Sequence, residues 1–493
     1  MDTIRINPLD NVAVALHDIE KGYRIEVDGA YVTTREKVPG GHKIAIKDIA
    51  VGEPVIKYGT PIGIATEAIA SGSHVHTHNL KTTLSGEAEY VYKPAFRELS
   101  HTDKKTFMGY KRKDGKTGIR NEIWIIPTVG CVNPVAQRLA AENRDLVTGT
   151  IDGLYCFTHP YGCSQMGGDL DTTKKILASL VRHPNAGGVL VLSLGCENLT
   201  QELFKEELGE WDEERVKFLI CQQTDDELKE GRRLLAELSE HAGRYKREPV
   251  DASQLIVGLK CGGSDGLSGI TANPTAGRFS DLLISMGGST ILTEVPEMFG
   301  AEMMLFDRCR DRETFDKAVC MVNDFKKYFT DHGQVVYENP SPGNKAGGIT
   351  TLEDKSCGCI QKGGSARVED VLSYGESVKA RGLSLMSGPG NDLVSTTGLT
   401  AAGVHMILFT TGRGTPFGAP VPTLKIASNT GLYTDKGKWI DFNAGTVAEG
   451  AETIEEAAYR LFEDVLLTAS GRPTRQEMNG YRDIAIFKDG VTL

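Results

Sequence analysis

The sequence predicts a multidomain α/β protein: a small β-rich unit at the N-terminus, then two α/β units built on mainly parallel sheets. Three observations carry this expectation. The chain has 493 residues, more than a single hydrophobic core ordinarily serves. Its opening segment repeats a glycine-turn frame three times, and its remainder alternates apolar runs with helical patterns. The units are expected at residues 1–95, 108–249 and 250–493.

The repeats are "DIEKGYRI" at 18–25, "DIAVGEPV" at 48–55 and "AIASGSHV" at 68–75. A glycine turn followed by a β-branched residue is how short strands begin, so this unit reads as a loop-rich β structure. The third repeat runs into "HVHTHN", with histidines at 74, 76 and 78. On a strand these would share one face, about 6.6 to 6.8 Å apart per two-residue step. A solvated edge accounts for one histidine. Three in strict alternation before an asparagine favour a metal site, since neutral imidazole suits iron, zinc or manganese.

A polar connector, "YKPAFRELSHTDKKTFMGYKRKDGKTG", separates this unit from the next. Then come the strand-like runs "NEIWIIPTV", "GGVLVLSLG" and "RVKFLIC". The helical segment after them keeps Leu228, Leu234, Leu235 and Leu238 on one face and closes at Pro249. The third unit restarts at "LIVGLKCGGSDGLSG" and continues through "STILTEVPEMFG", "HMILFTTGRGTPFG" and "TLKIASNTG". Strand after strand ends in glycine and polar residues, where open α/β sheets bind ligands.

Net charge is −11 with scattered basic residues, which disfavours nucleic acid and anionic membranes as partners. The start "MDTIRINPLD" lacks a secretory pattern and no window is apolar enough to span a bilayer. A cytoplasmic protein is expected, with its ten cysteines mostly reduced. Cys156, Cys309 and Cys320 read as small buried hydrophobes. Cys131, Cys163, Cys196, Cys261 and Cys359 sit beside glycine, which lets backbone approach a ligand. No CxxC pair exists, which argues against a structural zinc knuckle.

In "CGGSDGLSGITANPTAGRFSD" a nest of backbone N–H groups can receive an anion, with Arg278 nearby for a carboxylate. Nucleotide fingerprints are missing there. "TGRGTPFG" offers Arg413 and "ENPSPGNKAGGITTLEDKS" offers Lys345 on loops.

Together with "GHKIAIKDIA", "GIRNEIWIIPTVGCVN", "YGCSQ", "SLGCEN", "LTEVPEMFGAE" and "IFKDGVTL", these motifs resemble, in order and over essentially the whole length, the sugar-acid dehydratase family of altronate and galactarate dehydratases. The resemblance implies an N-terminal β-clip domain of the SAF type, two further α/β domains and a requirement for Fe2+, with Mn2+ or another divalent ion as substitute. It implies a hydro-lyase of hexuronate catabolism that takes D-altronate to 2-dehydro-3-deoxy-D-gluconate. Galactarate or a related aldarate is the alternative substrate.

Such chemistry needs a base for the C2 proton, stabilisation of the aci-carboxylate, and help for the departing C3 hydroxyl. Lys260, Asp265 and Glu294 are the candidate catalytic groups. Ser264, Asn273, Arg278, Lys345 and Arg413 are candidates for the carboxylate and polyol, and His74, His76 and His78 for the metal. The alternative cofactor is an iron–sulfur cluster on thiols such as Cys163, Cys196, Cys261 or Cys359, against which the lack of close cysteine spacings counts. A sugar-acid binding protein is the non-enzyme alternative. A small sugar acid is the expected partner, a homodimer is left open, and the site is expected between the small β unit and the "CGGSDGLSGITANP" loop.

Overall fold

The computed structural model describes residues 2–96 and 98–493. The N-terminal unit contains β1 (Thr3–Ile4), β2 (Val12–Ala15), β3 (Arg24–Val27), β4 (Ala30–Thr33), β5 (Lys43–Ala45), β6 (Pro54–Lys57), β7 (Thr60–Ala65), β8 (His74–Val75) and β9 (Leu80–Lys81). They form antiparallel sheets in the orders β1-β2-β5-β8 and β6-β7-β9, plus the hairpin β3-β4. The repeat frame explains this layout. Gly22, Gly52 and Gly72 turn at φ near +81° to +87°, and the isoleucines Ile19, Ile49 and Ile69 three residues earlier are all buried. Each repeat thus contributes one turn and one apolar anchor.

The histidine segment differs from the expected strand. β8 ends at Val75, and the chain bends at His76 and turns through Thr77–Asn79. Asn79 is the reason: its Oδ1 accepts the His76 backbone N–H at 3.0 Å and its Nδ2 donates to the His74 carbonyl at 2.9 Å. The side chain replaces the ladder partners a continuing strand would need.

The polar connector also holds more structure than expected. β10 (Thr106–Lys111) pairs antiparallel with β11 (Thr117–Gly118) and with a later strand that lies between the second and third units. The second unit proper is a four-stranded parallel sheet of β12 (Glu122–Pro127), β13 (Gly153–Cys156), β14 (Ala186–Ser193) and β15 (Val216–Ile220), in the order β13-β12-β14-β15. Helices α1 (Asn133–Glu142), α2 (Gly167–Val181), α3 (Gln201–Leu208) and α4 (Glu227–Ala242) cover it. Leu139, Leu234, Leu235 and Leu238 pack on one face and Ile176, Leu177, Leu180 and Phe204 on the other. This two-sided burial is why the strands read as unbroken apolar runs.

β16 (Glu248–Asp251) is the strand that pairs with β10. The third unit follows as a seven-stranded parallel sheet: β17 (Ile256–Cys261), β18 (Ser289–Leu292), β19 (Val368–Leu372), β20 (Gly382–Met386), β21 (Met406–Thr411), β22 (Thr423–Ala427) and β23 (Phe442–Asn443). Its order is β19-β20-β18-β17-β21-β22-β23. Its helices include α5 (Ala272–Ser285), α6 (Met303–Phe306), α7 (Arg312–Asp331), α8 (Pro342–Ala346), α9 (Leu352–Cys359) and α10 (Asp392–Ala401). α5 and the helix Ile454–Ala469 pack together on one face, and α10 covers the other.

From the third unit the chain returns across the second. Arg482 pairs with Glu122 at 2.8 Å, Ile484 and Ile486 join the core under α2, and the backbone N–H groups of Asp489 and Gly490 donate to Asp169. Leu493 N–H reaches the Ser164 carbonyl at 2.9 Å. Among the described residues no helix is long and apolar enough to cross a membrane.

Candidate active site

The first and third units meet through bare backbone. A Cβ on Gly266 would lie 1.9 Å from the Gly41 carbonyl oxygen, and one on Gly348 2.3 Å from the same atom. Glycine is required at both positions because the chains cross without room for a side chain. The contact carries His42, Lys43 and Tyr58 of the first unit onto the loop after β17 and onto α9.

His42 Nδ1 lies 2.9 Å from His74 Nε2, and the rings of His74 and His76 stack at 5.4 Å and 15°. One ring nitrogen from each of His42, His74 and His76 falls within a 4.8 Å group. His78 stands outside this group and is exposed. His42 was not singled out in the sequence; the pair Gly40–Gly41 before it is the signal that the backbone there comes close to something. Burial, then the neighbouring imidazoles, pushes His74 down to about 3. Burial likewise pushes His76 down to about 4. Neutral rings keep their lone pairs free at neutral pH, and His76 Nδ1 is buried with no hydrogen-bond partner among the described residues. A nitrogen that neither bonds nor ionises is what a divalent ion would complete, so the residues present fit a metal held by His42, His74 and His76.

Behind this group lies a buried ionic lattice. Asp354 of α9 accepts from Lys43 at 2.8 Å and Lys57 at 3.0 Å, with all three side chains buried. Burial pushes Lys43 down to about 8 despite Asp354. For Lys57 burial acts in the same direction, but Asp354 outweighs it and holds the ammonium above its ordinary value. Deeper in the third unit, Lys260 contacts Glu294 and Asp392, Lys362 reaches Glu294 at 3.0 Å, and Lys355 reaches Glu297 at 2.8 Å. Glu294 adopts φ 72°, a left-handed conformation that costs a non-glycine residue about 1 to 3 kcal/mol and clusters at functional sites.

Glu297 also accepts from Cys261 Sγ at 3.1 Å and Cys359 Sγ at 3.0 Å, and the two sulfurs are 3.5 Å apart. These three residues form a second group of metal-ligand type. Burial alone would raise the Glu297 carboxyl, yet Lys355, Lys260 and Lys362 hold it well below its usual range. The Cys261 contact and burial keep Cys359 a neutral thiol. Three ammoniums, those of Lys355, Lys260 and Lys362, therefore act on this triangle.

The predicted residues distribute as follows. Lys260 is fully buried; burial would lower it, but Glu294 and Asp392 outweigh burial and hold its ammonium above the ordinary value. Asp265 accepts from Ser268, Ser428 and Asn429, which fixes the loop. Asn273 spends both ends of its amide on Gly358 and Thr410. Ser264, Asp265 and Asn273 line a chamber of about 10 Å³ together with Lys57, Tyr58, Asp354, Lys355 and Cys359. The Ser264 hydroxyl is buried there without a partner among the described residues. A larger depression, about 1170 Å³ between α7 and β19, contains none of the predicted residues.

Arg278 is not brought to the chamber. It lies half exposed on α5, paired with Asp281 at 3.2 Å and Glu455 at 3.4 Å. Lys345 sits on α8 beside Ala346, whose carbonyl faces His42 at 3.4 Å, and exposed Arg413 contacts the Gly343 carbonyl. Cys163 and Cys196 are exposed on the second unit, apart from buried Cys261 and Cys359. Cys320, expected in a core, is exposed on α7, because that helix turns the position away from its buried stripe of Phe315, Val322 and Phe325. Lys57, Asp354, Lys355, Lys362 and Glu297 were missed.

Three family descriptions match in order: altronate/galactarate dehydratase SAF domain over residues 1–83, D-galactarate dehydratase/altronate hydrolase second domain over 109–243, and D-galactarate/altronate dehydratase C-terminal over 252–492. Altronate dehydratase of Escherichia coli (strain K12) is 54% identical and covers 100% of both chains. Altronate dehydratase of Bacillus subtilis (strain 168) is 52% identical over 99% of each. The L-threo-forming galactarate dehydratase of Escherichia coli (strain K12) is 34% identical over 95% of this chain and 93% of its own. With the SAF unit, two α/β units and end-to-end relatives of this kind, the chain belongs to the altronate/galactarate dehydratase family.

Proposed function

We propose that this chain is a hydro-lyase that removes water from D-altronate to give 2-dehydro-3-deoxy-D-gluconate, acting in the cytoplasm with the unit bounds given above. The reading is carried by a histidine triad and a lysine-rich, thiol-containing chamber, both placed where the first unit's Gly41 segment crosses the third unit's Gly266 and Gly348. Altronate is favoured over galactarate by the higher identity to relatives bearing that name.

His42, His74 and His76 would hold a divalent ion such as Fe2+, which when bound would supply Lewis acidity. The remaining work belongs to side chains. Lys57 and Lys355, both ammoniums on the chamber wall, hold the carboxylate and stabilise the charge that grows on it as the C2 proton leaves. The unpartnered Ser264 hydroxyl meets a substrate hydroxyl. Proton transfer falls to the Cys261–Glu297–Cys359 triangle, whose Cys359 faces the chamber. A volume of about 10 Å³ is room for about one water, so a six-carbon acid enters only when Tyr58 and the Gly41 segment withdraw. Their return excludes water during the reaction.

The test is turnover of altronate and galactarate by anaerobically prepared protein with and without ferrous iron, with C2 deuterium exchange from heavy water as a second readout. Iron-dependent formation of the 2-keto-3-deoxy acid from altronate is expected. Faster turnover of galactarate, or exchange unaffected in Cys359→Ala, removes the corresponding part of the reading.

A further inference from the structure

The buried site uses Cys261 and Cys359 but leaves three glycine-flanked thiols of the second unit without a role. We propose that Cys131, Cys163 and Cys196 are the protein ligands of an iron–sulfur cluster at the carboxyl edge of the β13-β12-β14 sheet. β12, β13 and β14 are hydrogen-bonded neighbours. Each runs into a loop bearing a Gly-Cys pair: Gly130–Cys131, Gly162–Cys163 and Gly195–Cys196.

The three loops are fastened to one another. Gly130 N–H donates to the Tyr161 carbonyl at 2.9 Å and Leu199 N–H to the Gly162 carbonyl at 3.1 Å. The Asn198 side chain accepts the Ser164 N–H at 2.8 Å. A Cβ on Gly162 would lie 1.9 Å from the Thr128 carbonyl oxygen, so only glycine lets the Cys163 loop come this close to the Cys131 loop. Buried Glu197 adds a further tie, accepting from Thr128 Oγ1 and the Leu194 and Gly195 N–H groups. These ties hold the three thiol-bearing segments in a fixed relation.

All three thiols are exposed, whereas Cys156 and Cys221 of the same unit are partly buried. Gln222 Nε2 donates to Cys196 Sγ at 3.5 Å, the kind of hydrogen bond that tunes a cluster sulfur. The three do not form one of the tight groups that would suit a single ion. A cluster spreads its thiolates over separate irons and so tolerates wider placement. Close spacing in sequence is unnecessary when each ligand comes from a different strand of one sheet. Three thiolates leave one iron of a four-iron cluster to a non-protein ligand on the exposed side.

The full chain, reduced and reconstituted anaerobically with equal ferrous and ferric iron and sulfide and then desalted, should retain iron and acid-labile sulfide in matched amounts with broad visible absorbance. Cys131→Ser, Cys163→Ser and Cys196→Ser should each lose the sulfide and the absorbance, while Cys320→Ser and Cys261→Ser retain them. Alkylation of the reconstituted wild type, read by mass spectrometry, should find Cys131, Cys163 and Cys196 protected together and Cys320 labelled, whatever the folding of the variants. Absence of retained sulfide, iron without sulfide, loss of the cluster in Cys261→Ser, or labelling of the three thiols at the rate of Cys320 would each overturn the assignment.

Discussion

Replacing Asp354 by Asn tests what holds the first unit on the third. Asp354 lies on α9, and its carboxylate is shared by Lys43 and Lys57 of the first unit and by the Thr350 N–H and hydroxyl. An amide in its place leaves two buried ammoniums facing a neutral group. Breaking one buried pair in this way costs about 3 to 5 kcal/mol. The second lysine does not double the penalty, because burial already pushes Lys43 down to about 8 and shedding its proton near pH 7 costs about 1.4 kcal/mol per unit of pKa. The expected total is therefore about 3 to 5 kcal/mol, or roughly two to three and a half powers of ten in docking of the first unit. Hydrogen exchange read on peptides containing Gly41–Lys43 and Gly348–Asp354, together with proteolysis of the 84–105 connector, should show both regions opening in the variant. A triple Lys43→Met, Lys57→Met, Asp354→Leu protein, free of buried charge, should dock better than the single variant. Wild-type exchange in Asp354→Asn, or a triple variant that opens further than the single one, would refute the reasoning.

His42→Ala, His74→Ala and His76→Ala should each lose iron on dialysis and iron-dependent turnover, whereas His78→Ala should keep both; equal losses at all four would dissolve the triad. Acid should loosen the junction between the second and third units, where His183 bonds the Val404 carbonyl and His405 the Thr117 carbonyl. Burial pushes these imidazoles down to about 3 and about 4, so their contribution is intact above pH 6.5 and is lost as pH falls from there toward 4. For His405 the loss amounts to about 3 kcal/mol, and melting temperatures across that window should fall less in His405→Gln. Arg278→Ala, a half-exposed partner of Asp281 and Glu455, should change stability by about 1 kcal/mol or less and leave KM for altronate unaltered, which steady-state kinetics would check.

Much of the architecture was legible because a strand buried on both faces cannot hide its apolar run: β12, β14, β17 and β21 all announce themselves. β10 and β11 did not, since β10 takes its longer pairing from β16, far along the chain, and its polar residues Thr106 and Lys111 face solvent. The glycine-rich loop after β17 pointed to the junction for a sound reason, as Gly266 is where backbone crosses backbone. The cation partners were not legible. Lys57 and Asp354 are 297 residues apart, and nothing local in "VIKYGT" or "LEDKS" says that their charges cancel in a dry interior. Arg278 misled because a helix offers several faces, and sequence near a loop does not say which face α5 turns toward it. His42 was separated from "HVHTHN" by a strand pairing, Ile44 opposite His74, that only the sheet register supplies.

The return of residues 482–493 across the second unit has a consequence for how the chain is made. Ile484 and Ile486 fill part of the core beneath α2, and Asp169 in that helix waits for the backbone of Asp489 and Gly490. Emerging in order from the ribosome, the second unit therefore leaves an apolar seam uncovered until the whole third unit has been synthesised. During that interval the seam is a site for chaperone binding or for aggregation. Expression yield is accordingly expected to be sensitive to substitutions of Ile484 and Ile486, which close it.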